Sequence, residues 1–226
     1  MKFNTKSYIL DRSNRKNRPI IHDYESLNQI EKSKDEMIYC KAPTIFRYLS
    51  YCVGHNVFFD MIKLFINKFR DGSASYKDFT NCIPQNITGD TKLLIEKHIK
   101  DIDYFYLKSK CPPVFSYYYK DENISFKDIY FERTKLENMS INSGSVFCDV
   151  KLFYSTGNHS NTPYKVQTFD KVEISNKEEV RKRLENANLN KPNLMLLNYN
   201  DYAYVTQIFT KQEIEWIKNN VNVNKE

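Results

Sequence analysis

The run from Met37 to Phe69, MIYCKAPTIFRYLSYCVGHNVFFDMIKLFINKF, decides how this chain is read. Between Pro43 and Val53 the apolar residues Ile45, Phe46, Leu49, Cys52 and Val53 recur at three- and four-residue spacing, which predicts one face of an amphipathic helix. Pro43 lacks an N–H and suits only a first helical turn. The expected helix therefore starts near Ala42, with Tyr39 just before it or in its opening turn. Gly54 supplies a stop. Beyond it Phe58, Met61, Ile62, Phe65 and Phe69 form a second stripe of the same spacing.

Working outward, Asp71-Gly72-Ser73 reads as a turn. Ser75, with Asp78 three positions on, reads as the cap of a short helix through Ile83. A longer helix is expected over Thr91 to Leu107, burying Leu94, Ile95, Ile99, Ile102 and Tyr106. At Cys111-Pro112-Pro113 the pattern changes to short runs rich in β-branched and aromatic residues: VFSYYYK, ISFKDIYFE, VFCDVKLFY, YKVQTF and KVEIS. Such runs predict a small antiparallel sandwich. The charged stretch Lys177 to Leu189 suits a helix or an extended loop. A last strand pair, NLMLLNY and AYVTQIF, leads into a helix opening near Thr210, where Glu213 completes a capping box. That helix is expected to run through Trp216 to the end, with an apolar face that no other part of the chain obviously covers.

Composition narrows the function classes. Aromatic residues make up 15% of the 226 residues, enough apolar mass to exclude disorder. With only 5 glycines, Gly-rich phosphate loops have little material. No stretch approaches the roughly 20 apolar residues of a membrane-spanning helix, and the start has no signal-peptide core. A cytoplasmic protein without membrane contact is expected. The net charge of +6 raises nucleic-acid binding, but Lys and Arg are interleaved with acidic residues. The densest basic run, Arg12 to Arg18, reads as a solvated loop and not a phosphate track, so no nucleic-acid partner is expected. The 5 cysteines, Cys40, Cys52, Cys82, Cys111 and Cys148, are widely spaced and odd in number, as reduced thiols are.

The four histidines, His22, His55, His98 and His159, stand far apart, and H-E-x-x-H is absent. Zinc catalysis needs ligands converging from fixed geometry, usually two on one helical turn. His98 reads as a surface or packed residue. There is no G-x-S-x-G and no P-loop. Chemistry-bearing motifs alone assign no function.

Two longer stretches carry a resemblance. The first runs from Tyr8 to Ile83 and contains Leu10-Asp11 to Pro19-Ile20, Tyr39-Cys40-Lys41-Ala42-Pro43, Gly54 to Phe58, and Ser73-Ala74-Ser75-Tyr76-Lys77-Asp78-Phe79. In that order and spacing these resemble the aminopeptidase N family downstream of its zinc motif, where a Y-x-K-G element precedes a helix. The second, KPNLMLLNYNDYAYVTQIF over Lys191 to Phe209, resembles the element closing that family's β-sandwich domain.

The resemblance implies an α+β chain in three parts. Residues 1–110 would be the helical second half of a thermolysin-like catalytic domain, 111–209 a small antiparallel β-sandwich, and 210–226 the start of a C-terminal helical region. The family enzyme is a zinc peptidase that removes N-terminal residues from peptides. Tyr39 matches the tyrosine that donates a hydrogen bond to the oxyanion, and Lys41 matches the family lysine, with an inferred structural role. Cys40 and Ala42 depart from the family pattern. The zinc ligands and general base would lie before residue 1, so zinc belongs to the complete enzyme and none is expected to bind this chain alone. Peptide substrate, and a separate chain carrying the zinc motif, are the partners implied. The alternative is a non-catalytic scaffold or interaction subunit, since the family includes an inactive subunit of a general transcription factor. An unrelated basic binding module is a third reading.

Overall fold

The computed structural model describes residues 19–21, 25–33, 36–103, 107, 114–118, 128–133, 145–156, 164–175, 179–183 and 190–220. The chain is α+β and divides into two units, Met1–Cys111 and Pro112–Glu226. Among the described residues no helix is long and apolar enough to cross a membrane.

The first unit is helical: α1 (Leu27–Ser33), α2 (Glu36–Val53), α3 (His55–Phe69), α4 (Tyr76–Thr80) and α5 (Gly89–Ile102). Its centre is the packing of α2 against α5 and α3. The buried stripe of α2 is Lys41, Thr44, Ile45, Tyr48, Leu49 and Cys52, while Phe46 is 40% exposed. This face is rotated from the one that apolar spacing predicts. Lys41, Thr44 and Tyr48 count as polar or amphipathic in a periodicity reading, yet their stems and methyl groups fill the core.

The start of α2 also differs from expectation. The helix begins at Glu36, which places Pro43 inside it instead of in its first turn. Pro43 has no N–H to give the Tyr39 carbonyl. One residue later the Thr44 hydroxyl donates to the Cys40 carbonyl at 3.1 Å, a side-chain bond beside the gap in the ladder.

Gly54 ends α2 as expected. Its φ of 93° is a region that side chains rarely tolerate. Its N–H donates to the Ser50 carbonyl while its own carbonyl accepts from Phe58, each at 3.0 Å, so one residue closes α2 and opens α3. On α3, Phe58 and Met61 are buried. Ser75 and Asp78 form the expected capping box for α4, with Ser75 N–H to Asp78 Oδ2 at 2.9 Å. The helix stops at Thr80, with Asn81 as its C-cap, and not at Ile83. Phe79 is buried at the middle of a ring cluster, with Phe46 and Phe65 edge-on at 5.5 and 5.6 Å.

α5 buries Ile95, His98, Ile99 and Ile102, and Leu94 lies outward at 47% exposure. His98 fills a core position that the spacing assigns to Leu94. Beyond Ile102 the described residues Asp103 and Leu107 are π-helical, in line with the expected extension to Leu107, and Tyr106 lies outside the described residues. Leu107 itself is buried, and its carbonyl accepts from Ile21 N–H at 3.0 Å.

Among its described residues the second unit has two sheets and a helix. One sheet has the order β5 (Glu179–Arg183), β2 (Asp128–Arg133), β1 (Val114–Tyr118), β7 (Thr206–Gln207); the other has β4 (Tyr164–Ser175), β3 (Ser145–Ser155), β6 (Leu194–Leu197). All pairings are antiparallel except β1 with β7. Two expectations change here. YKVQTF and KVEIS are one strand, and part of Lys177 to Leu189 is β5, paired with β2, instead of a helix or loop. Four of its five residues are charged, which suits an edge strand, where charged residues discourage further pairing.

The β3–β4 register shifts between Cys148 and Val150. Asp149 sits at the shift, 3% exposed, accepting from Lys171 N–H at 3.1 Å and from Asn200 Nδ2 at 2.8 Å. Lys171 has φ 51°, the left-handed residue of the bulge. After β6, Asn198 (φ 57°) holds its own loop closed: Ala203 N–H donates to its Oδ1 at 2.8 Å and its Nδ2 donates to the Ala203 carbonyl at 2.6 Å. Gln207 on β7 reaches across to β6, accepting from Leu197 N–H at 2.8 Å and donating to the Met195 carbonyl at 2.7 Å.

The helix α6 (Lys211–Asn220) opens on the expected box, with Thr210 N–H and Oγ1 donating to Glu213 Oε2 at 2.7 and 2.9 Å. Contrary to expectation, its apolar face has a partner. Trp216 packs on Phe153 and Tyr164 at 5.6 and 5.7 Å, and the Tyr117 hydroxyl donates to buried Glu213. Tyr117 also accepts from Met195 N–H at 3.0 Å. The end of the expected helix, 221–226, lies outside the described residues.

Phe79→Ala should lower the stability of the first unit by about 3–5 kcal/mol in urea titrations, while Leu93→Ala, at an exposed site, should change it by less than about 0.5 kcal/mol. Hydrogen bonds from the Ser75 side chain and backbone hold the Asp78 carboxyl below its usual range. A folded value below the unfolded one gives stability that is complete above the unfolded value and is lost as pH falls through the folded one. The stability difference between wild type and Asp78→Asn should therefore be present at neutral pH and shrink below about pH 4. Melts across that range check it, and an unchanged difference at pH 2 would contradict the cap.

Candidate functional site

A helix turns about 100° per residue, so residues two apart face nearly opposite ways. Tyr39, Cys40 and Lys41 show the consequence. Tyr39 is 67% exposed, Cys40 is 6% exposed and Lys41 is 1% exposed. Lys41 sits in the α2 core stripe with Thr44 and Tyr48, while the Tyr39 phenol faces away from it. A side chain so placed is an accessible hydroxyl donor on a backbone fixed from behind. Lys41 faces the core.

No other sequence-predicted candidate is brought to Tyr39 among the described residues. His55 lies with Nδ1 3.2 Å from Ser50 Oγ and its ring edge-on to Phe59 at 4.5 Å, which fixes the imidazole against α3. His98 is packed in the core. His22 and His159 lie outside the described residues. Cys40, Cys52, Cys82 and Cys148 are buried free thiols, and Cys111 lies outside the described residues. Burial pushes the Cys148 thiol up to about 12, so it stays protonated and unreactive.

The described residues do not fit a zinc centre. No group of three His, Cys, Asp or Glu among them is placed to hold a metal ion. His55 is engaged with Ser50, His98 is enclosed, and the buried thiols stand apart.

One constellation had no signal in the sequence. The Tyr76 hydroxyl is buried against the Asp103 carboxyl, and burial together with that negative charge raises the phenol above its usual range. The phenol therefore stays in its neutral form. The two residues are far apart in sequence and carry no shared motif, so only the packing of α4 near the end of α5 could reveal them. Clefts also lie among the described residues. One of about 330 Å³ is lined by Thr80, Asn81, Lys92, Glu96, Ile99 and Lys100 among others. Another, of about 260 Å³, lies beside Tyr117, Tyr118, Lys191 and Glu213 in the second unit. Tyr39 lines neither.

Residues 2–105 match the family model for the peptidase family M1 domain. The matched segment contains α1 to α5 and Tyr39, and ends before the second unit. It supports a peptidase-related segment in the first unit. No curated protein matches the chain.

Tyrosine nitration should modify Tyr39 well before Tyr48 and Tyr204, which are 2% and 0% exposed. Peptide mapping after brief tetranitromethane treatment reads the order. Nitration of Tyr48 first would show that the α2 face is assigned wrongly.

Proposed function

We propose that the first unit is part of a zinc-dependent aminopeptidase, in which Tyr39 donates a hydrogen bond to the oxyanion formed as the N-terminal residue of a peptide is removed. The observation that carries the reading is the Tyr39 phenol, exposed on a helix held from behind by Cys40 and Lys41, inside the segment that matches the M1 domain. A phenol suits that role because it is a neutral donor. It can meet developing negative charge without stabilising the uncharged carbonyl equally, and one such donor is worth about a hundredfold or more in rate.

When bound, zinc supplies an activated water and polarises the scissile carbonyl. In this reading its ligands come from other polypeptide, such as a separate chain. What these residues contribute is the donor and the rigid helix that aims it. The buried free thiols suit a reducing, cytoplasmic setting.

A second reading, a non-catalytic scaffold, draws on the start of α2. With Ala42 before Pro43, the helix runs back to Glu36 and Tyr39 is its fourth residue, on helical backbone and not just ahead of the helix.

The two readings separate in one experiment. The purified chain alone should bind no stoichiometric zinc and cleave no aminoacyl reporter. Combined with a polypeptide bearing H-E-x-x-H, it should gain aminopeptidase activity, and Tyr39→Phe should lower kcat by about a hundredfold with little change in KM. Activity that Tyr39→Phe leaves intact would remove Tyr39 from the mechanism. Binding of that polypeptide with no activity at all would favour the scaffold.

A further inference from the structure

Pro43 stands at an unusual place: eighth in the 18-residue helix α2, four residues after Tyr39. In a helix interior its ring crowds the carbonyl four residues back and its nitrogen offers no hydrogen bond. It also disfavours helical geometry at the residue before it, here Ala42. The helix nevertheless continues through Ala42 to Glu36. Two features let it do so. Ala42 has the highest helix propensity of any residue, and Cys40 and Lys41 are buried on the core side. The Thr44 hydroxyl on the Cys40 carbonyl adds a local bond of the kind that accompanies bends in helices. Residues on the other side of Pro43 carry no such conflict: Ile45, Tyr48, Leu49 and Cys52 continue the buried stripe to Gly54.

We propose that Pro43 is a hinge within α2, and that Glu36–Ala42 opens from the helix as a local unit, which makes the presentation of Tyr39 an equilibrium set at Pro43. The helical form holds Tyr39 on a fixed backbone. The open form releases it, together with Cys40 and the buried Lys41, and leaves the α2–α5 packing from Thr44 to Cys52 in place. Pro43 is thus a positioning residue for Tyr39. Its meaning for catalysis rests on the proposed role of Tyr39, but the hinge itself does not.

Two buried thiols on one face of α2 report the opening directly. Cys40 lies before Pro43 and Cys52 after it, at 6% and 9% exposure. With both closed in the same helix, a difference in their reactivity measures local opening rather than static exposure. The full chain is labelled with an excess of a maleimide under native conditions, and each cysteine is followed by peptide mass spectrometry. Cys40 should label at least about tenfold faster than Cys52. Its rate should depend on urea more weakly than that of Cys52, because the opening uncovers Cys40 and Lys41 but not the rest of the core, whereas Cys52 should follow the slope of global unfolding. Pro43→Ala restores the missing donor and should slow Cys40 by about a hundredfold without lowering the global urea midpoint. Equal labelling of the two thiols in the wild type, or a Cys40 rate with the full unfolding slope, would overturn the hinge. So would a gap between them that Pro43→Ala leaves unchanged. None of these readouts is an activity, so the hinge and the aminopeptidase reading can fail separately.

Discussion

The first unit depends on the burial of one face of α2. That face contains a lysine at 1% exposure between a cysteine and a threonine, with Tyr48 and Leu49 one turn further on. A buried ammonium is tolerated only where its charge is compensated, so this stripe has few alternative rotations about the helix axis. Once it is set against Ile95, His98, Ile99 and Ile102 of α5, every outward residue of α2 is set as well. Tyr39 is outward for that reason and no other. The exposure of a residue with proposed chemistry is therefore a consequence of packing on the opposite side of the same turn.

The second unit meets a comparable constraint with carboxylates. Asp149 gathers the β3–β4 bulge and the loop after β6 by accepting from Lys171 and Asn200. Glu213 joins a helix cap to a strand by accepting from Thr210 and from Tyr117. Each is an acceptor buried with its donors in place, the condition under which buried polar groups specify one arrangement and not several. Trp216 then covers Phe153 and Tyr164, so the terminal helix is part of the unit's own core.

Between the sequence pattern and the structure, Pro43 is the point of tension. Local chemistry favours a helix that starts there, whereas tertiary burial of Cys40 and Lys41 carries the helix two turns further back. Where a local preference and a tertiary one disagree, the structure holds by packing, and the segment that gives way first is the one local preference would have left out. Tyr39 lies on that segment, within the residues that match the M1 domain.

The sequence by itself determined the α+β class, the change from helices to strands near Pro112, the stop at Gly54 and both capping boxes. These are local properties: a φ of 93° needs glycine, and a box needs a hydroxyl and a carboxylate three residues apart. The resemblance carried by the Tyr39 region drew attention to the segment that the M1 domain matches. Tertiary structure alone decided which face of α2 is buried, that His98 and not Leu94 fills the core, and that Val180 and its charged neighbours pair with β2. It also decided that Tyr76 meets Asp103 and that Trp216 has a partner. Each of these joins residues distant in the chain, and a side chain that is polar in a pattern can still be core if its stem is apolar and its polar atoms are met. Burial is a property of the neighbours, and the neighbours are known only once the chain has folded.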